Sequence, residues 1–188
     1  MAIKIYVDQG HNPRNPNAGA EGNGLREQDV TFEVGRQLAA LLEENGNYEV
    51  RLSRPLPDTI LGTSNASSLR ARTEDANAWG ADYFISIHAN ASSISSATGS
   101  EGYVYSLNSP AEPLALQIIE GISEMTGFPA RGVFARPTLY VLRRTAMPAT
   151  LIEIGFITNP AEAHLMRTDP SAYAKGMALG INRFFGFS

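Results

Sequence analysis

Three features of the sequence predict an α/β domain built on a mostly parallel, twisted sheet of about six strands, with helices on both faces. Short runs rich in β-branched and aromatic residues alternate with segments whose apolar residues recur at helical spacing. Gly, Asn, Pro and Ser gather between them. The 188 residues, 43% hydrophobic, suffice for one core and not for two, so residues 1–188 read as a single domain without a linker.

The elements follow in order. Alternation at Ile3, Ile5 and Val7 makes a first strand that ends at Asp8-Gln9-Gly10-His11. Val30, Val34, Leu38, Leu41 and Leu42 then mark one face of a helix from about Glu27 to Asn45, stopped by Asn45-Gly46. Tyr48 to Ser53 reads as a second strand. Ser67 or Ser68 is expected to cap a helix through Leu69, Arg72, Ala76 and Trp79, which leads into a strand from Tyr83 to His88. Gly102 to Tyr105 is a further strand. Ser109-Pro110 opens a helix carrying Leu114, Ile118, Ile122 and Met125, and Gly127 closes it. Leu139 to Leu142 and Leu151 to Ile154 read as two more strands, and Asn159-Pro160 and Pro170-Ser171 each start a C-terminal helix.

Composition narrows the function. The chain has 15 basic and 19 acidic residues and a net charge of −4, so it lacks the electropositive footprint of a nucleic-acid binder, and no nucleic-acid partner is expected. It has no cysteine, so any metal must rest on His, Asp and Glu. The apolar runs are strand-sized and the first residues lack the pattern of a signal peptide, so no membrane span is expected, and a monomer is.

In parallel sheets the functional groups collect where strands end, which singles out His11, His88 and Glu153. Glu153 sits inside the apolar run Leu151 to Phe156, so it is paired, protonated or facing a cleft; a structural ion pair is the plain alternative. Each histidine alone reads as an ordinary loop or strand-end residue, whereas together with a carboxylate they form a zinc donor set with one open position. The third ligand stays open between Asp8, Glu21, Glu27 and Asp29. His164, inside a late helix, reads as structural. Neither a Gly-x-Ser-x-Gly elbow nor a Gly-x-x-x-x-Gly-Lys phosphate loop is present.

Several ordered motifs, taken together, resemble the type-3 family of zinc-dependent N-acetylmuramoyl-L-alanine amidases over nearly the whole chain. They are Asp8-Gln9-Gly10-His11, Gly24-Leu25-Arg26-Glu27, Arg72 with Ala76-Asn77, and Ser86-Ile87-His88-Ala89-Asn90, followed by Glu101 to Ser106, Val141-Leu142-Arg143 with Pro148-Ala149, and Glu153-Ile154-Gly155-Phe156-Ile157-Thr158-Asn159. The resemblance implies that His11, Glu27 and His88 bind Zn²⁺ and that Glu153 is the catalytic base. It also implies a peptidoglycan hydrolase, an autolysin or a phage-type endolysin, acting outside the cell or in the wall on the bond between N-acetylmuramic acid and L-alanine. A zinc peptidase cutting within the stem and a non-catalytic wall-binding module are the alternatives. The chain departs from many members in reading His11-Asn12-Pro13 where they have a second Gly after the His.

Three further positions are weaker candidates for substrate contact. Arg72 either holds a carboxylate or decorates a helix; Asn90 either meets substrate or closes a turn; Arg143, on its expected strand, either binds a carboxylate of the stem peptide or lies on a solvated rim. Tyr103, Tyr105 and Tyr140 read as packing. Between the Ser-x-His strand and the next strand the eleven residues Ala91 to Glu101 are too few for a blocking helix, which predicts an open site.

Overall fold

In a computed structural model describing residues 2–187, the chain forms a central six-stranded sheet, a two-stranded hairpin and six helices among the described residues. The elements are β1 (Ile3–Gln9), β2 (Glu21–Gly22), β3 (Leu25–Arg26), α1 (Glu27–Asn45), β4 (Tyr48–Leu52), α2 (Asn65–Trp79), β5 (Tyr83–Asn90) and β6 (Ser100–Val104). They continue with α3 (Ala111–Thr126), β7 (Ala130–Ala135), α4 (Tyr140–Arg144), β8 (Ala149–Phe156), α5 (Pro160–Thr168) and α6 (Pro170–Phe185). The sheet order is β4-β1-β5-β8-β6-β7; β6 against β8 is antiparallel and every other pair is parallel. This is the mixed version of the expected sheet.

Strand alternation sends two sets of side chains to opposite faces. Ile5, Val7, Ile85, Ile87, Ile152 and Ile154 form the larger core with α1, α3 and α6, while Tyr6, Phe84, Ala149 and Leu151 form a smaller one with α2 and α4. Helices α3 and α6 pack through glycines. A Cβ added at Gly176 would lie 2.6 Å from the Ile122 Cα and 2.7 Å from the Gly121 carbonyl oxygen, backbone atoms that cannot swing aside. Gly176→Ala is therefore expected to cost about 1–3 kcal/mol in overpacking, more than the roughly 1 kcal/mol that alanine's helix propensity returns, as read by urea unfolding.

The structure corrects four local expectations. The segment expected as a strand at Leu139 to Leu142 is helix α4: Val141 and Leu142 are adjacent and both buried, Arg143 and Arg144 adjacent and both exposed, a pattern that suits one helical turn and not alternation. The cap of α2 is Ser64, three residues earlier than expected, and Ser67 completes a capping box: Ser64 Oγ accepts from Ser67 N–H at 3.1 Å and Ser67 Oγ from Ser64 N–H at 2.9 Å. Strand β7 was not expected, because it is an edge strand whose Arg131 and Gly132 carry no alternating signal. The β2–β3 hairpin, two residues per strand, was also not expected.

Candidate metal centre

The face that packs against α2 and α4 changes character along the strands. In the strand register, Tyr6, Phe84 and Ala149 make one rung, Asp8, Ser86, Leu151 and Tyr103 the next, and His88, Glu153 and Glu101 the last. The first rung is apolar and the last is titratable. Because β6 is reversed, its beginning rather than its end brings Glu101 to this edge.

His11 enters from the loop after β1. Its backbone is left-handed (φ 66°), which few non-glycine residues adopt, and two arginines fix it: Arg72 Nη2 donates to the His11 carbonyl at 2.6 Å and Arg54 Nη1 at 3.3 Å. Two glycines make room. A Cβ at Gly10 would sit 2.7 Å from the His88 imidazole, and one at Gly19 would sit 2.7 Å from Glu27 Oε2 and 2.9 Å from His11 Cδ2. Glu27 is the first residue of α1, where the helix dipole favours a carboxylate.

Its Oε1 lies 3.1 Å from His11 Nε2 and 3.0 Å from His88 Nδ1 and accepts from Ala89 N–H at 3.1 Å, while Oε2 accepts from Ala20 N–H at 2.8 Å. Burial by itself would raise the Glu27 carboxyl, but the two facing imidazoles hold it well below the usual carboxylate range. The three donor atoms lie within 4.8 Å of one another, with no Lys or Arg among them, and could hold a metal ion. The donor set, two imidazoles and one buried carboxylate, suits a divalent ion with an open position.

Glu153 stands beside this group. Its Oε2 is enclosed with no hydrogen-bond partner, and burial first, then the charges of Glu27 and Glu101, push its pKa up to about 8. Glu101 itself is buried and paired: Arg131 Nε donates to it at 2.6 Å and the Tyr103 hydroxyl donates to its other oxygen. A small cavity of about 130 Å³, walled by Leu139, Tyr140 and Leu151, opens onto His11 and His88.

The four ligand alternatives now separate. Asp8 is 1% exposed, bound to Arg72 Nη1 at 2.6 Å and to the Ser86 hydroxyl at 2.7 Å; Asp29 pairs with Arg26 at 2.7 Å, and Glu21 lies exposed on β2. Only Glu27 of the four meets the histidines. Arg72 holds a carboxylate: it is 1% exposed, its terminal nitrogens go to Asp8, to the Gln9 carbonyl at 2.6 Å and to His11, and its side chain also lines the cavity at the histidines. The Asn90 side chain is held locally, Oδ1 accepting from Ala91 N–H at 2.9 Å. Arg143 lies on α4, not on a strand, and lines a separate groove of about 250 Å³ with Tyr105, Ser109 and Ala149, four residues along β8 from Glu153. His164 is exposed on α5.

Two contributors escaped the sequence reading. Buried Arg54, whose Nη1 donates to the Gln28 carbonyl at 2.9 Å, follows β4 in a loop where nothing marks it. Glu101 was quoted only as part of a motif; the β6–β8 register that sets it opposite Glu153 carries the signal. The segment 91–99 holds no helix, as expected from its length, and no helix of the described residues is long and apolar enough to cross a membrane.

Residues 5–183 match the family described as N-acetylmuramoyl-L-alanine amidase. The amidase CwlM of Bacillus licheniformis is 37% identical over 190 residues, covering 99% of this chain and 70% of that protein. An endolysin of Bacillus phage SPP1 is 32% identical over 190 residues, covering 96% of this chain and 65% of that protein. The catalytic domain of the amidase CwlV from Bacillus (Paenibacillus) polymyxa superposes with a TM-score of 0.85 at 28% identity, covering 99% of each chain. The chain belongs to the N-acetylmuramoyl-L-alanine amidase family.

Proposed function

We propose that this domain hydrolyses the amide bond joining N-acetylmuramic acid to L-alanine of the peptidoglycan stem, with His11, Glu27 and His88 holding a zinc ion and Glu153 moving the proton. One observation carries the reading: an enclosed, unpartnered carboxylate oxygen, Glu153 Oε2, shares a rung with His88 and stands beside two imidazoles and a carboxylate. When bound, zinc supplies positive charge that polarises an amide carbonyl and lowers the pKa of a water towards about 7.

The residues do the rest. Glu27, held ionised, offers a carboxylate at any working pH, and its bonds to Ala20 and Ala89 N–H fix where that charge sits. Arg72 and Arg54 hold the His11 carbonyl and so aim the imidazole. Glu153 accepts the proton of the attacking water on Oε2 and returns it to the amine nitrogen as the C–N bond breaks. Oε2 has no other hydrogen-bond partner, which leaves it free to take up and give back that proton. All of these groups come from one chain, and the substrate places the reaction outside the cell or in the wall.

Removing the metal with a chelator is expected to abolish cleavage of defined muropeptides, and Zn²⁺ to restore it, with elemental analysis confirming occupancy. The melting temperature should fall on chelation, because an ion bound only by the native state adds to its stability. Mass spectrometry of the products should show a new L-alanine amino terminus; a terminus further along the stem would make the domain a peptidase, and full activity of metal-free protein would overturn the reading.

A further inference from the structure

Most arginines of this chain are neutralised or buried, and Arg136 is neither. It forms no ion pair among the described residues, and the one hydrogen bond of its side chain, from Nη1 to the Ala135 carbonyl, is 3.3 Å long. It is nevertheless oriented, because its guanidinium lies 5.0 Å from the ring centre of Tyr103 and 5.9 Å from that of Phe134. The two rings, 6.4 Å apart on neighbouring strands β6 and β7, form a shelf. The carboxylate that would otherwise capture Arg136 is already occupied: Glu101, two residues from Tyr103 on the same face, is paired with Arg131 and with the Tyr103 hydroxyl. Four of the five guanidinium N–H groups are left without a protein acceptor.

The shelf adjoins the proposed reaction site. Tyr103 stands opposite Leu151, which walls the cavity at His11 and His88, and Glu101 stands opposite Glu153. The diagonal from Glu153 to Tyr103 spans about 7–8 Å. Adding the stacking distance of 5.0 Å takes the guanidinium to the reach of three or four extended peptide residues, at about 3.3–3.6 Å each. The geometry points to Arg136, seated on Tyr103 and Phe134, as the residue that binds a carboxylate three or four residues into the stem peptide. A planar fork held against two rings presents paired donors to a carboxylate, and the contact makes the domain select acidic stems over amidated ones. This assignment rests on the amidase reading above.

The test compares muropeptides whose stem carboxylates are free or amidated, using the zinc-loaded wild type, Arg136→Ala and Arg136→Lys. The wild type is expected to favour the free acid by about tenfold to a hundredfold in kcat/KM, mainly through KM, as for a hydrogen-bonded charge pair. Arg136→Ala should lose that preference and match the wild type on amidated substrate; Arg136→Lys should recover only part of it, since an ammonium lacks the fork. Equal losses on both substrates, or none on either, would overturn the assignment. Calorimetry with the free stem peptide, acid against amide, reads the same contact without turnover: preference for the acid in the wild type and its absence in Arg136→Ala support the site, and equal binding rejects it. If the wild type cuts neither muropeptide, the amidase reading fails and the calorimetry still decides Arg136. The residue is exposed, so unchanged melting temperatures are expected for both variants.

Discussion

Glu153→Gln is expected to lower turnover by about 10²- to 10⁴-fold while the metal stays bound, the loss typical of removing a general acid–base group. Glutamine fills the same space on the last rung of the sheet but has no oxygen that takes up a proton. The mirror experiment is Glu27→Ala, which removes a donor and should lower metal content and activity together. Elemental analysis beside kinetics separates the two: an empty site in Glu153→Gln with a filled one in Glu27→Ala would reverse the roles. A second readout uses metal-free protein. With its pKa raised from 4.5 to about 8, Glu153 binds its proton more tightly in the folded than in the unfolded chain. That contribution to stability is complete below the unfolded value and is lost as pH rises through about 8, so the metal-free wild type should weaken between those limits and Glu153→Gln should weaken less.

Arg72→Met is expected to destabilise the fold by about 3–5 kcal/mol, because it leaves the Asp8 carboxylate buried without its partner. Burial alone would raise the Asp8 carboxyl, but Arg72 and the Ser86 hydroxyl hold it below the ordinary range. Its stabilising share is therefore present above the unfolded carboxylate pKa and lost as pH falls through the folded one, which makes the pair a contributor to acid unfolding. Replacing both partners, as in Arg72→Met with Asp8→Leu, should return most of the stability, since an apolar pair of similar size is often as good. It should not return function, because the His11 carbonyl still lacks the Arg72 Nη2 donor. Urea unfolding and zinc affinity measured on the same two proteins distinguish these effects; recovery of zinc affinity in the double variant would show that Arg72 does not position His11.

Long periodic helices such as α1 and α3, and strands with strong alternation such as β1 and β5, were legible because burial imposes its period on the sequence. Helix α4 was not, since five residues hold little more than one turn and four neighbouring residues with two apolar ones fit either period. Strand β7 was not, because an edge strand packs on one side and its identity comes from β6. At the site, His11, His88 and Glu153 stood out as polar residues at strand ends. Spacing could not choose Glu27 over Asp8, because the choice depends on which carboxylate Arg72 reaches from 64 residues away. The motif resemblance did choose it, and of the four carboxylates Glu27 is the one grouped with the two histidines.

The reversal of β6 shapes more than the chemistry. Since β5 runs parallel to β8 and β6 against it, the segment 91–99 leaves the sheet and returns to it at one and the same edge, the edge that carries His88 and Glu153. In a fully parallel sheet a connection between strands must cross to the far edge. Here it begins and ends at the mouth of the cleft, so extra residues inserted between Ala91 and Gly99 would gather over the entrance without displacing a strand. The length of this one excursion is thus a dial for access that engineering can turn while the sheet, the histidine–glutamate group and Glu153 stay as they are.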